Sequence, residues 1–86
     1  MKISIFGLGY VGAVTAACLA DEGHSVLGVD VNPAKVDMLN AGRSPIVETG
    51  LDDLIGRGVG SGRIRATRDV AEAVEGSDLS LVCVGT

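Results

Sequence analysis

Aromatic and basic residues are scarce in this sequence. Its 86 residues include one Tyr, one Phe and no Trp, and the 7 basic residues are outnumbered by 11 acidic ones, for a net charge of −4. Nucleic-acid binding needs a basic face for the phosphates or aromatic side chains on which bases can stack. The composition therefore argues against nucleic acid as a partner.

Cysteine and long apolar runs are scarce as well. The two cysteines, Cys18 and Cys83, lie in apolar segments far apart in the sequence. This placement indicates buried thiols in a reducing compartment rather than a disulfide. No apolar run approaches the ~20 residues of a membrane span, and the N-terminus shows no signal peptide. We therefore expect a cytoplasmic protein without membrane contact.

Short apolar runs and helical segments alternate along the whole sequence. The patterns predict strands at 2–6, 25–30, 63–67 and 79–86, and helices at 10–22, 33–40 and 69–76, while 51–62 begins as a short helix and dissolves into glycines. Asn32, followed by Pro33, and Asp69 are predicted to cap the second and third of these helices. Such alternation implies a parallel sheet with right-handed crossovers and helices on both faces. We predict an α/β, Rossmann-type sheet of about four strands in the order 3-2-1-4, lacking the strands that complete a full domain. Cys18 is expected on the sheet-facing side of the first helix.

Three glycines at fixed spacing follow the first strand directly. Gly7, Gly9 and Gly12 form the pattern G-x-G-x-x-G where a strand gives way to a helix. In a dinucleotide-binding turn the first glycine permits the tight turn, the second lets a pyrophosphate approach the backbone, and the third lets the helix pack closely on the strand. The free N–H groups and the positive dipole end of the helix then face the phosphates. A glycine turn with a purely structural role is the alternative.

An acidic residue ends the second predicted strand. Asp30 lies 18 residues beyond Gly12 and is followed by Val31, Asn32 and Pro33. A carboxylate at this place accepts hydrogen bonds from the ribose hydroxyls of an adenosine and repels a 2′-phosphate, so the sequence favours NAD over NADP. The alternative is that Asp30 only caps the next helix, and the two roles are compatible.

Several segments together resemble one enzyme family. "FGLGYVG", "GVDVNPAKVDMLNAGRSPIVETGL" and the terminal "VCVGT" resemble, in order and over essentially the whole chain, the N-terminal domain of the nucleotide-sugar 6-dehydrogenases. These are the UDP-glucose and GDP-mannose 6-dehydrogenases, and "SIFGLGYVGAV" and "SPIVE" are closer to the GDP-mannose branch. The chain departs from the family at Thr49-Gly50, where Pro-Gly is usual.

The resemblance implies a function and a set of contacts. The family oxidises the C6 alcohol of a nucleotide sugar to a carboxylate with two NAD molecules, through a catalytic cysteine. By resemblance, Tyr10 and Val11 bind the pyrophosphate through their backbone, Asp30 binds the adenine ribose, Lys35 reaches the adenosine end and the Thr86 hydroxyl contacts NAD. For Lys35 a solvated helix lysine is the alternative, and for Thr86 simply the end of a strand.

The resemblance also sets limits on what residues 1–86 can do. The family's catalytic cysteine and its sugar-nucleotide domain lie beyond residue 86. We therefore expect a partial dinucleotide-binding domain that has no catalytic residue or metal ligand and cannot turn over a nucleotide sugar alone. The apolar fourth strand lies at an open edge, where it invites pairing with another chain, and a homo-oligomer is expected.

Two other functions fit parts of the sequence. A different NAD enzyme, such as a hydroxy-acid dehydrogenase, shares the glycines and the acidic residue but not the "SPIVE" loop. A regulatory domain that senses a nucleotide, as found on transporters and channels, binds a nucleotide and catalyses nothing.

Overall fold

Four short strands form one parallel sheet in the computed structural model, which describes residues 1–83. The strands are β1 (Lys2–Phe6), β2 (Ser25–Val29), β3 (Ile64–Thr67) and β4 (Leu79–Val82), and the sheet order is β3-β2-β1-β4. On either side of the central strand, Ile3 pairs with Val26 and with Leu79. The predicted strand order is confirmed. The fourth strand was predicted to reach Thr86, and positions 84–86 lie outside the described residues.

Within residues 1–83, four helices connect and cover these strands. They are α1 (Tyr10–Asp21), α2 (Pro33–Asn40), α3 (Leu51–Gly60) and α4 (Val70–Glu75). The right-handed rule for crossovers places α1, α2 and α3 on one face, because the chain moves outward from β1 to β3, and α4 on the other, because the chain then returns to β4. The buried residues of the first three helices share one core cluster with β1, β2 and β3, to which the buried Ala73 of α4 does not belong. Helices therefore lie on both faces, as predicted.

Alanines, rather than the larger apolar residues, form the inner face of α1. Ala13, Ala16 and Ala17 are fully buried where α1 packs on the sheet and on α3, whereas Val11 is 60% exposed. Cys18 is exposed, so the prediction that it faces the sheet was wrong. The apolar residues at helical spacing indicated one side of the helix, but the alanines occupy the side where a short side chain brings the helix axis close to the strands.

Helix α3 continues through glycines that were predicted to end it. Its buried side is formed by Leu51, Ile55 and Gly58, and acidic residues in its first turn and Arg57 in its last turn complement the helix dipole. A Cβ on Gly58 would lie 2.3 Å from Cδ1 of Ile64 in β3. The glycine is thus needed for close packing on the sheet, and this packing outweighs the ~1 kcal/mol that glycine costs a helix.

The last residue of α2 closes part of the outer edge of β3. The Asn40 side chain donates from Nδ2 to the Ala66 carbonyl (3.0 Å) and accepts from the Ala66 N–H at Oδ1 (2.8 Å). An amide that pairs with both backbone groups of one residue takes the place of a neighbouring strand, and it removes a template for edge-to-edge association.

Replacing Asn40 with alanine is expected to lower the free energy of unfolding by roughly 1–3 kcal/mol, because two hydrogen bonds of about 0.5–1.5 kcal/mol each are lost. Urea denaturation followed by circular dichroism measures this change. Asp37→Ala, at an exposed position of the same helix, is the matched control and should leave the midpoint within a few tenths of a kcal/mol. Equal stability of the two variants would show that the Asn40 contacts contribute nothing.

Candidate cofactor site

The carboxyl ends of β1 and β2 meet at one edge of the sheet, and two hydrogen bonds join the loop after β1 to the end of β2 and the residue that follows it. The Gly7 N–H donates to the Val29 carbonyl at 2.8 Å, and the Leu8 N–H donates to Oδ2 of Asp30, also at 2.8 Å. Ligands of open α/β sheets bind at this edge. The predicted glycine turn and the predicted acidic residue therefore lie side by side.

The three glycines of the turn differ in what requires them. Gly7 has φ +101°, a left-handed conformation that favours glycine. A Cβ on Gly12 would lie 1.8 Å from the Gly7 carbonyl oxygen, so only glycine allows α1 to start this close to β1. Gly9 has φ −79°, and a Cβ there would meet nothing within 4 Å. The protein itself does not need glycine at position 9, so the open space there is available to a ligand.

Helix α1 presents unpaired donors next to this space. The N-cap Gly9 provides no side-chain cap, the first turn carries no acidic residue, and the N–H groups of Tyr10, Val11 and Gly12 have no acceptor within residues 1–83. Tyr10 and Val11 are each 60% exposed. A helix N-terminus of this kind combines free donors with the positive end of the dipole, which suits a phosphate.

Asp30 is held as a charged acceptor beside the turn. Its Oδ2 accepts from Leu8 N–H, and its Oδ1 accepts from Asn32 N–H at 2.9 Å. Partial burial raises the pKa of Asp30, but these hydrogen bonds and the nearby Lys35 charge outweigh burial and bring the pKa below its usual value. Each carboxylate oxygen has two lone pairs, so one on each remains for a ribose hydroxyl.

The depressed pKa gives this carboxylate a definite pH dependence. The hydrogen bonds to the charged form stabilise the fold fully above the usual carboxyl pKa. That contribution is lost as the pH falls through the lower pKa of the folded state. At neutral pH the site therefore keeps its negative charge.

The remaining predicted site residues differ in how far the structure describes them. Lys35 lies in the first turn of α2, half-buried, and its charge acts on Asp30. Thr86 falls outside the described residues. The Tyr10 hydroxyl lies beside Glu48 of the "SPIVE" loop, whose carboxylate raises the pKa of Tyr10 through a hydrogen bond and its charge.

Sequence reasoning missed two backbone donors that hold Asp30. One is the Leu8 N–H, which no local pattern marks. The other is the Asn32 N–H, and here a signal was present, because an aspartate often accepts from the backbone two residues on. Asn32 also caps α2 by accepting from Ala34 N–H at 2.9 Å, with Pro33 in the first turn, so its predicted capping role is confirmed.

Other features of the described chain add no second centre. A cleft of about 320 Å³ lies at the opposite, amino end of the strands, where Lys2, Arg63 and Arg65 contribute to its lining and Arg65 forms an ion pair with Glu72. No three His, Cys, Asp or Glu side chains within residues 1–83 come together as a metal-binding group. Among the helices of that same range, none has both the length and the apolar character that crossing a membrane requires.

Comparison with known proteins gives one consistent result. Residues 1–86 match the model of the UDP-glucose/GDP-mannose dehydrogenase family, NAD binding domain. The chain is 60% identical to the GDP-mannose 6-dehydrogenase of Azotobacter vinelandii and 46% identical to the UDP-glucose 6-dehydrogenase of Rhizobium meliloti, in each case over 100% of this chain and 20% of the relative.

A solved structure agrees with these sequence relatives. The structure superposes with a TM-score of 0.98 on a crystal structure of a ternary complex of GDP-mannose dehydrogenase from Pseudomonas aeruginosa, at 57% identity, covering 100% of this chain and 20% of that one. The chain thus spans about a fifth of the length of the relatives that it matches. It belongs to the UDP-glucose/GDP-mannose dehydrogenase family and corresponds to the NAD-binding domain of that family.

Proposed function

We propose that residues 1–86 are the cofactor-binding part of a nucleotide-sugar 6-dehydrogenase whose substrate is GDP-mannose. Over the aligned residues, the relatives named GDP-mannose 6-dehydrogenase are 57–60% identical to this chain, against 46% and 39% for relatives named UDP-glucose 6-dehydrogenase. Such an enzyme oxidises a C6 alcohol to a carboxylate, and the two NAD molecules that this consumes accept the hydrides. For the whole protein, we propose GDP-mannose as the substrate, a homo-oligomeric state and a cytoplasmic location.

Within this chain, the proposal assigns each part of the site a role. The pyrophosphate lies on the turn Gly7–Gly12, in the space that Gly9 leaves open, and accepts from the N–H groups of Tyr10 and Val11. Asp30 accepts from the ribose hydroxyls, and Lys35 lies at the adenosine end. The contact of the Thr86 hydroxyl with NAD is proposed on the family resemblance alone.

One observation carries the cofactor assignment. The free N–H groups of α1 and the charged Asp30 carboxylate lie next to each other, joined by the Leu8 N–H···Oδ2 hydrogen bond of 2.8 Å. A dinucleotide needs donors for its phosphates and an acceptor for its ribose in neighbouring positions of the protein. A purely structural glycine turn needs neither.

The test is to titrate this chain with NAD and, separately, with NADP, and to monitor the NMR amide resonances of residues 7–12. NAD should shift these resonances and bind with higher affinity than NADP, because the Asp30 charge repels a 2′-phosphate. Asp30→Asn should lower the NAD affinity roughly 10- to 100-fold, since hydrogen bonds to a charged group contribute about 1.5–3 kcal/mol, and should narrow the preference over NADP.

The matched control is Asp37→Asn, an exposed carboxylate on α2 that takes no part in the site. It changes the net charge equally and should leave both affinities unchanged. Equal binding of NAD and NADP by the unmodified chain, or no binding of either, would contradict the assigned site.

A further inference from the structure

Leu8, between the first two glycines of the turn, faces inward and connects two parts of the candidate site. Its side chain is completely buried, while its backbone N–H donates to Oδ2 of Asp30. Any movement that lifts the Leu8 side chain out of the core also moves the donor away from the carboxylate. The position of this side chain therefore sets the geometry around Asp30.

The space for the Leu8 side chain exists because β2 carries a glycine opposite it. A Cβ on Gly28 would lie 2.8 Å from Cδ2 of Leu8 and 3.1 Å from Cδ2 of Leu39. Gly28 is not among the glycines with positive φ, so its backbone conformation does not require glycine. A glycine inside a strand weakens it, and often marks a close approach of another part of the chain. Here the close approach is that of Leu8.

An added methyl group at Gly28 would meet the ends of two buried leucine side chains, which must shift to make room for it. Leu8 and Leu39 are both 0% exposed and belong to the same core cluster. Leu39 lies on α2, whose N-terminus is fixed by Asn32, the second donor to Asp30. Protein interiors have low compressibility, so a shift of these side chains displaces the groups packed around them.

Gly28 also lies on the same face of the chain as Asp30, since residues two apart in an extended segment share a face. The contact between Leu8 and Gly28 thus lies two residues before the carboxylate, on the same side of the chain. Asp30 is thus held at Oδ2 by Leu8, which packs on Gly28, and at Oδ1 by Asn32 at the start of α2.

We propose that Leu8 and Gly28 are positioning residues for the ribose end of the cofactor site. The space left at Gly28 seats Leu8, and the seated Leu8 directs its N–H at Asp30 Oδ2. The carboxylate is then fixed in one orientation, with its remaining lone pairs free for the two ribose hydroxyls. This proposal rests on the proposed role of Asp30 in binding NAD.

The experiment compares the binding of NAD with that of an NAD analogue that lacks the adenosine 2′-hydroxyl. Gly28→Ala should weaken NAD binding roughly tenfold and change the binding of the deoxy analogue much less, so that the preference for the hydroxyl narrows. The double variant Gly28→Ala with Leu8→Val removes the crowded Cδ atoms and should restore most of the preference. If Gly28→Ala acted only by destabilising the fold, the additional Leu8→Val exchange would not restore the preference for the hydroxyl.

A second readout does not depend on cofactor binding. In the unmodified chain the Leu8 amide proton shift should follow the titration of the Asp30 carboxyl, because the two groups share a hydrogen bond. Gly28→Ala should uncouple them, and the double variant should couple them again. If the unmodified chain binds no NAD, the proposed function fails, and this titration alone decides the positioning role.

Gly58→Ala is the matched control, since its Cβ would lie 2.3 Å and 2.7 Å from two atoms of Ile64, on the α3–β3 contact. It crowds the core without touching Leu8 or Asp30, and should lower stability while leaving the ribose preference and the Leu8 titration intact. The proposal is wrong if Gly28→Ala narrows the preference no more than Gly58→Ala does, or if Leu8→Val gives no rescue. If Gly28→Ala does not fold, the double variant must fold and must show the preference of the unmodified chain.

Discussion

Replacing Gly12 with alanine is expected to destabilise the fold by at least about 3 kcal/mol. The added Cβ would lie 1.8 Å from the carbonyl oxygen and 2.9 Å from the carbonyl carbon of Gly7, and both are backbone atoms that no rotamer change can move. Overpacking by a methylene costs about 1–3 kcal/mol when side chains can yield, so the cost here lies at or above that range. For a domain of this size, 3 kcal/mol corresponds to a fall in Tm of roughly 12–24 °C.

Thermal unfolding followed by circular dichroism measures this effect. Gly60→Ala is the matched control, because Gly60 is the last residue of α3 and a Cβ there meets nothing within 4 Å. That variant should be as stable as the unmodified chain or slightly more so, since alanine is the better helix former. A Gly12→Ala variant with an unchanged Tm would mean that α1 can start farther from β1 than the structure has it.

Replacing Gly9 with alanine is expected to leave the stability of the fold unchanged and to weaken the binding of NAD strongly. Gly9 has a negative φ of −79° in an extended conformation, so it does not use the left-handed region that favours glycine, and its Cβ would project into open space. The variant should therefore be as stable as the unmodified chain, or up to about 1 kcal/mol more stable. The same methyl group occupies the place proposed for the pyrophosphate, and we expect an affinity for NAD lower by roughly 100-fold, the loss of one or two charge-assisted hydrogen bonds.

Isothermal titration calorimetry with NAD, together with a urea unfolding curve, separates the two quantities for Gly9→Ala. The Gly60→Ala variant again serves as the reference for adding a methyl group in open space. If Gly9→Ala bound NAD as well as the unmodified chain does, the open space at position 9 would not be the place of the phosphates.

The sheet could be predicted from the sequence because its order follows from rules that act over the whole chain. Alternating elements require parallel strands, and the handedness of the crossovers then leaves few strand orders. The caps Asn32 and Asp69 were predictable for a similar reason, since capping depends on residues two or three positions away. Local patterns with a direct physical cause are confirmed at these positions.

The errors arose where packing between distant segments decides the structure. Position 58 of α3 is glycine because the Ile64 side chain of β3 occupies the space that a Cβ would need. The glycine was mistaken for a helix end because this contact is with another element. Cys18 is exposed because the close approach of α1 to the sheet selects alanine for its inner face, and apolar periodicity does not record that distance. The inward direction of Leu8 was not predictable from its neighbours either, but a glycine inside the apolar run of β2 was a signal that could have been followed.

The alanine face of α1 also determines which changes this helix can accept. Ala13, Ala16 and Ala17 are fully buried, so even a conservative exchange for valine would overpack the contact of α1 with the sheet and α3. Its outer positions, Val11 and Cys18, face open surroundings and can take residues of many sizes and polarities. The buried alanines of α1 therefore tolerate fewer substitutions than its larger apolar residues, although alanine is the less hydrophobic side chain.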